Sequence, residues 1–285
     1  MKRILAPAQR ELLTRLAWSN ALLAFDFDGT LAPIVSDPAR AALRPATRRL
    51  LLRVARLYPC VIISGRALAD VARRVDGLPV RAVIGNHGLE PWSASPELLR
   101  TVARWRTRLA PALAELRGVE LEDKTYSLAL HYRRARAKAR ARQILAGLAG
   151  TLPRARIIGG KDVVNVVPEG APHKGAALLR ERKRLGCDLA LFLGDDDTDE
   201  DVFALDQPGR LLSVRVGQSR RSLAPYFLRD QAEVDGLLAR LVELREARRL
   251  ARCDFGGGWG FACSLGVGSP PGAPPSAVTR SSGPL

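Results

Sequence analysis

The sequence predicts an α/β protein built on a parallel sheet. Short apolar runs alternate with amphipathic helical stretches, most runs end in turns rich in glycine and polar or charged residues, and a gap of about a hundred residues separates the third run from the fourth. The runs fall at 21–25, 60–63, 80–84, 189–193 and 211–216, with helical patterns at 45–57, 67–75, 174–185 and 220–228. Strands alternating with helices make βαβ units, and ligands of open α/β sheets bind at the carboxyl ends of the strands.

The first eighteen residues start basic but break their apolar stretch with Gln9, Arg10, Glu11 and Arg15. That pattern reads as an amphipathic helix with Leu12, Leu13 and Leu16 on one face, not as a signal peptide. The run 21–25 then enters Asp26-Phe27-Asp28-Gly29-Thr30. Alternation along a strand sends Asp26 and Asp28 to the same side at its end. Two like charges in a half-buried place require a cation or a shared proton. The pair argues for a divalent metal, and oxygen ligands favour Mg²⁺.

The run 60–63 delivers Ser64-Gly65-Arg66, a hydroxyl and free N–H groups that make an oxyanion cradle. After the run 80–84, Gly85-Asn86-His87-Gly88-Leu89-Glu90 permits a tight turn that presents polar groups at the sheet edge. The long gap that follows is no structureless loop. It holds a helical pattern at 96–116, a strand-like run at 124–132, a basic helix at 134–149 and short strands at 154–158 and 161–167. This order predicts an α+β domain at 90–168 inserted into a discontinuous core of 1–89 and 169–252. Beyond the insert, Lys174 opens a helix where a compact cation meets a phosphate. The run 189–193 then ends in Gly194-Asp195-Asp196-Asp197-Thr198-Asp199-Glu200-Asp201. Asp195, directly after the strand, and Asp199, one helical turn on, are its ligand and supporting candidates; the other acids suit a helix N-terminus. The segment 253–285 is rich in Gly, Pro and Ser and reads as disordered.

Composition narrows the function. The chain has 285 residues, 47% of them hydrophobic, and no apolar run near the roughly 18–20 residues that span a membrane. Cys60, Cys187, Cys253 and Cys263 form no CxxC pair, so the reading is reduced thiols, a cytoplasmic protein and no zinc site. The net charge of +16 comes from arginines spread over helix faces without interleaved aromatics. That distribution suits solubility or attraction of an anionic substrate and argues against nucleic acid.

Taken together, the Asp26-x-Asp28-Gly29-Thr30 signature, Ser64, Lys174 and Gly194-Asp195-Asp196…Asp199 resemble the four motifs of the haloacid dehalogenase (HAD) phosphatases. A finer resemblance is to trehalose-6-phosphate phosphatases. It is carried by Ser64-Gly65-Arg66, Gly85-Asn86-His87-Gly88-Leu89-Glu90, Glu122-Asp123-Lys124-Thr125-Tyr126-Ser127, His131-Tyr132-Arg133 and the acidic motif through Phe203. The resemblance implies a Rossmann-like HAD core with an α/β cap, and Mg²⁺ held by Asp26, Asp28 through its carbonyl, Asp195 and Asp199. By the same resemblance Asp26 is the nucleophile, Asp28 the acid and base, and Ser64 and Lys174 stabilise the phosphoryl group. Asp199 orients Lys174 or a water on the metal. Sugar contacts fall to Glu122, Lys124, Lys161 and Asn165, with Arg66, Asn86, His87 and Arg133 beside them. One position departs from the family: Gly160-Lys161-Asp162-Val163-Val164-Asn165 ends in an amide where the family has a carboxylate. An amide still hydrogen-bonds a hydroxyl, so another phosphosugar, such as a glucosyl- or mannosyl-phosphoglycerate, stays open beside trehalose 6-phosphate. A non-catalytic sugar-phosphate sensor is the reading from outside the enzymes. A synthase of trehalose 6-phosphate is the functional counterpart that the resemblance suggests.

Overall fold

In the computed structural model the described residues are 1–35, 37–92, 95–160 and 162–255. Met1–Arg248 form one compact unit; of the second, from Arg249, the described part is the end of one helix. The chain runs β1 (Lys2–Arg3), α1 (Arg10–Trp18), β2 (Ala21–Phe25), α2 (Pro45–Leu57), β3 (Cys60–Ile63), α3 (Leu68–Arg74) and β4 (Ala82–Ile84). There follow α4 (Pro96–Ala114), β5 (Glu120–Asp123), β6 (Leu128–His131), α5 (Lys138–Gly150), β7 (Ala155–Gly160) and β8 (Val163–Pro168). The chain then continues as α6 (Lys174–Arg184), β9 (Leu189–Gly194), α7 (Glu200–Phe203), β10 (Leu211–Val216), β11 (Tyr226–Leu228) and α8 (Ala232–Phe255).

Seven strands form a parallel sheet in the order β1-β11-β10-β9-β2-β3-β4. All of β2 and β3 is buried, as a sheet covered on both faces requires. One core cluster joins β2 to Leu13 and Leu16 of α1, Leu51 and Val54 of α2, and the face Val234, Leu237, Leu238, Leu241 and Val242 of α8. That i, i+3, i+4 spacing is what makes α8 a packing helix. The opposite cluster holds Ala177 and Leu178 of α6 with Phe192 and Phe203. The strand order reverses at β2 and β9, because the chain first builds outward through β3 and β4 and then returns on the other side of β2. Such a reversal opens a crevice at the carboxyl ends of the two strands.

Between β4 and α6 lies a separate antiparallel sheet, β5-β6-β8-β7, backed by α4 and α5 through Val102, Trp105, Leu109 and Leu145. The run read as one strand over 124–132 is in fact a turn followed by β6. Lys124 N–H donates to Ser127 O at 3.0 Å and Tyr126 N–H to Lys124 O at 2.8 Å, while Thr125 takes φ +71°. The preceding β5 escapes the sequence pattern because its Glu120, Glu122 and Asp123 are poor strand formers, held by pairing to β6. The helix expected at 220–228 is a turn and then β11. Pro225 disfavours the helical conformation at Ala224, and Tyr226-Phe227-Leu228 pair with β10 and β1 instead. Cys60 and Cys187 are buried free thiols, and burial pushes the Cys60 thiol up. Residues 253–255, expected in the disordered segment, fall within α8; 256–285 lie outside the described residues. Among the described residues no helix is long and apolar enough to cross a membrane.

Glu233, in the first turn of α8, ties both flanks of the sheet edge together. Its carboxylate accepts from Arg3 of β1 and, at 2.5 Å, from Arg229 Nε. Burial raises its proton affinity, but the two arginines and the Arg229 N–H overcome this and bring it down to about 2 from 4.5. A lowered folded-state value gives stability present above the unfolded value and lost as pH falls from about 4.5 toward 2. The arginine side chains are 40% and 64% exposed, which discounts the gain to about 1–2 kcal/mol. Glu233→Gln is expected to lower stability by that amount at pH 7 and to match the unsubstituted chain near pH 2, as denaturant titrations at the two pH values will read.

Candidate active site

The crevice at the ends of β2 and β9 is occupied by a buried ionic cluster. Asp26 follows β2 directly, and its N–H donates to Leu193 O of β9 at 2.9 Å. Lys174, brought by the first turn of α6, donates from Nζ to Asp26 Oδ1 and to Asp199 Oδ1, each at 2.7 Å. All three side chains are buried. The other oxygen of Asp199 accepts from the N–H groups of Asp195 and Asp196 at 2.9 and 3.0 Å. Asp199 thereby shapes the acidic loop and aims Lys174. Two glycines make room. A Cβ on Gly29, at φ +79°, would lie 1.9 Å from Asp195 Oδ2, and one on Gly194 2.3 Å from Asp199 Cγ.

Asp28 stands apart from this cluster. Arg66 grips it with two bonds, Nε to Oδ2 at 2.6 Å and Nη2 to Oδ1 at 2.7 Å. Arg66 is itself held by Asp70 at 2.7 Å and by Pro38 O at 3.0 Å, and Asp70 in turn pairs with Arg74. Ser64 is buried, and its Oγ accepts the Arg66 N–H at 3.1 Å, closing the turn. His87 sits against this turn: a Cβ on Gly65 would lie 2.5 Å from its Cε1. Neither ring nitrogen has a partner among the described residues. Burial, then Lys124, Lys174 and Arg156, hold its imidazole well below the usual histidine range, so it is neutral.

Above these groups a cavity of about 410 Å³ opens between the two sheets. Of the residues singled out in the sequence, Asp26, Asp28, Arg66, His87, Glu122, Lys124, Arg133, Asn165, Lys174 and Asp195 line it. Ser64, Asn86 and Asp199 lie beneath its wall, and Lys161 is outside the described residues. From the antiparallel sheet, Lys124 donates to Gly65 O at 2.9 Å and stands 4.0 Å from Glu122. Arg133 donates to Val35 O at 3.0 Å. His131, not singled out by itself, shares a 2.8 Å hydrogen bond with Glu122 and holds that carboxyl below its ordinary range. Its signal was in the hairpin: Glu120 faces His131 and Glu122 faces Ala129, so all four occupy one side of the sheet.

The residues fit a divalent cation. Asp26, Asp195 and Asp199 each offer an oxygen within 4.8 Å of the others. Asp195 Oδ1 is buried with no partner among the described residues. Three carboxylates against one Lys174 ammonium leave a charge that a hard divalent cation with oxygen ligands would offset. Burial, with Asp199 and Asp28 and against the pull of Lys174, drives the Asp26 carboxyl up to about 8. Burial and then Asp26 raise Asp195 well above its ordinary value.

The trehalose-phosphatase family matches residues 24–232. The chain belongs to this family. The trehalose-phosphate phosphatase of Mycobacterium tuberculosis is 35% identical over 249 residues, covering 78% of this chain; the chain spans 62% of that relative's length. Among solved structures, the C-terminal domain of the Candida albicans trehalose-6-phosphate phosphatase matches with a TM-score of 0.71 and 26% identity, over 82% of this chain and 97% of that one. A HAD subclass IIB sugar phosphatase matches at 14% identity, with a TM-score of 0.52 over 77% of this chain and 97% of that one, and shares the fold. The parallel sheet is thus the HAD core the motifs imply.

Because Asp26 and Asp195 bind protons more tightly folded than unfolded, their burial favours the protein at low pH and is lost as pH rises from about 4 through 8. A divalent cation bound by these carboxylates would take the place of those protons. Mg²⁺ added to chelator-treated protein is expected to raise Tm by several degrees at pH 8, since about 100-fold excess over Kd contributes ~2.7 kcal/mol. The rise should be smaller at pH 5 and absent in Asp195→Asn, as differential scanning fluorimetry will show.

Proposed function

We propose that this chain is a phosphatase that hydrolyses a phosphosugar, trehalose 6-phosphate first among them, through an aspartyl-phosphate on Asp26. The observation that carries this reading is the placing of one buried, lysine-paired carboxylate under a cavity whose opposite wall is a polar sheet bearing Glu122, Lys124 and Asn165. Family membership and the relatives' names support the substrate.

Asp26 attacks phosphorus, forming its P–O bond as the bond to the sugar oxygen breaks. Lys174 holds Asp26 in place and balances charge on the phosphoryl oxygens, and the Ser64 hydroxyl adds a donor beside them. Asp28, away from Lys174 and aligned by Arg66, gives a proton to the departing sugar oxygen and then takes one from the water that cleaves the phosphoenzyme. Asp26 and Asp195, with the Asp28 carbonyl, would hold Mg²⁺, which when bound neutralises phosphoryl charge. Asp199 serves by orienting Lys174.

The inserted sheet and its helices act as a cap, residues 90–168, over the core 1–89 and 169–252. Glu122 and Lys124 meet sugar hydroxyls, with Asn165 beside them, while the closed cap excludes water. Arg133 braces the cap on the 35 carbonyl. The excess of arginine draws the anionic substrate, and the protein works in the cytoplasm beside a synthase that makes its substrate. Asn165 is the observation that favours a second reading, a different phosphosugar, because an amide and a carboxylate select hydroxyl donors differently.

Phosphate release across a panel of sugar phosphates, with and without Mg²⁺, tests both readings. Trehalose 6-phosphate is expected to give the highest kcat/KM, and Asp26→Asn to lose roughly three orders of magnitude or more. Asn165→Glu is expected to shift the ratios among sugars. Preference for another sugar selects the second reading, and no Mg²⁺-dependent release from any member defeats both.

A further inference from the structure

We infer that Asn86 is a positioning residue that sets Lys124 in the sugar cavity by pinning the turn of the cap hairpin onto the phosphate end of the core. The inference rests on the proposed function in that Lys124 is taken to meet the sugar. Asn86 has no exposure to solvent and does not line the cavity. Both ends of its amide are used by the cap: Nδ2 donates to Lys124 O and Oδ1 accepts from Ser127 Oγ, each at 2.6 Å. The orientation is forced chemically. A carbonyl only accepts, so the nitrogen end must face Lys124 and leave the oxygen to the Ser127 hydroxyl.

Asn86 is fixed from the core side. Its backbone is left-handed at φ +49°, its N–H donates to Arg66 O at 2.7 Å, and the next N–H, of His87, donates to Ser64 O at 3.0 Å. The pin therefore stands on the Ser64-Gly65-Arg66 turn. On the cap side it grips a closed turn, in which Lys124 and Ser127 are already joined by a backbone hydrogen bond of 3.0 Å. Lys124 then reaches back with its ammonium to Gly65 O at 2.9 Å, on that same core turn. Two tethers thus cross from one cap turn to one core turn, and Asn86 supplies the one that carries no charge. A buried amide bonded at both ends fixes position without adding a charge at the phosphate.

Asn86→Asp separates the two halves of this function. The carboxylate keeps an acceptor for Ser127 but repels the Lys124 carbonyl. For the phosphosugar that the wild type turns over best, KM is expected to rise about tenfold more than for p-nitrophenyl phosphate, which has no sugar to place. In a Lys124→Met background the same substitution should cost less than twofold further, because its route of action is already gone. Ser127→Ala, a milder change, should move KM in the same direction and also lose its effect in Lys124→Met. Equal losses on both substrates, or full additivity with Lys124→Met, would overturn the proposal. Hydrogen exchange of the amides at 124–128 gives a readout independent of substrate: it should quicken in Asn86→Asp, and unchanged exchange overturns the proposal. If the wild type hydrolyses no phosphosugar, the functional reading fails, and the exchange result alone decides whether Asn86 is the pin.

Discussion

One buried ammonium organises this molecule. Lys174 stands between Asp26 and Asp199 with almost no access to water, and its ammonium offsets the charge of both. Removing one partner from such a cluster costs ~3–5 kcal/mol, because the group left behind stays buried and unpaired. The arrangement therefore constrains much else. The chain must return from the inserted sheet at the point where α6 delivers Lys174 to the end of β2. Gly29 and Gly194 must lack side chains so that the acidic loop can close on it. Asp195, whose Oδ1 has no partner among the described residues, leaves the cluster open to a divalent cation instead of closing it as an ion pair.

The two aspartates of the Asp26-x-Asp28 pair have different neighbours, and under the proposed function the neighbours divide their chemistry. Asp26 is buried against a lysine that cannot leave without unbalancing Asp199. Asp28 is 40% exposed and meets a guanidinium that has other anchors, Asp70 and Pro38 O. A fixed carboxylate suits attack on phosphorus, and a solvent-reached one suits exchange of protons. His87, neutral and without a partner among the described residues, adds polarity beside the Ser64 turn without adding charge.

The parallel sheet was legible because its strands are short apolar runs that end in chemistry, and residues 21–25 and 60–63 are strands over those same bounds. The carboxylates, Lys174 and Asp195 were legible for a related reason: a charge set at the end of a buried strand must be offset by an opposite charge, a cation or a bound ligand. What escaped depends on partners distant in sequence. β11 is a strand because β10 and β1 flank it, and β5 because β6 pairs with it. Asn86 announced itself as polar at a sheet edge, but nothing in 85–90 tells that its amide is consumed by residues 124 and 127. His131 was hidden likewise, because its link to Glu122 exists only once the hairpin register is set.

These distant links explain how β5, the polar and largely exposed edge strand of the antiparallel sheet, and the turn after it are held in place. β5 has little burial of its own, so Glu122 cannot owe its position to local packing, and Lys124 follows it in a turn. Each is held from elsewhere: Glu122 by His131 across the hairpin, Lys124 by Gly65 O and, through its carbonyl, by Asn86. Two of those three supports come from the core, one from Gly65 and one from Asn86, whose N–H donates to the same Ser64-Gly65-Arg66 turn. A cap displaced from the core would therefore lose the placement of Lys124 along with its contacts to that turn. Under the proposed function, recognition of the sugar and enclosure of the phosphoryl group become one event, because the same few hydrogen bonds serve both.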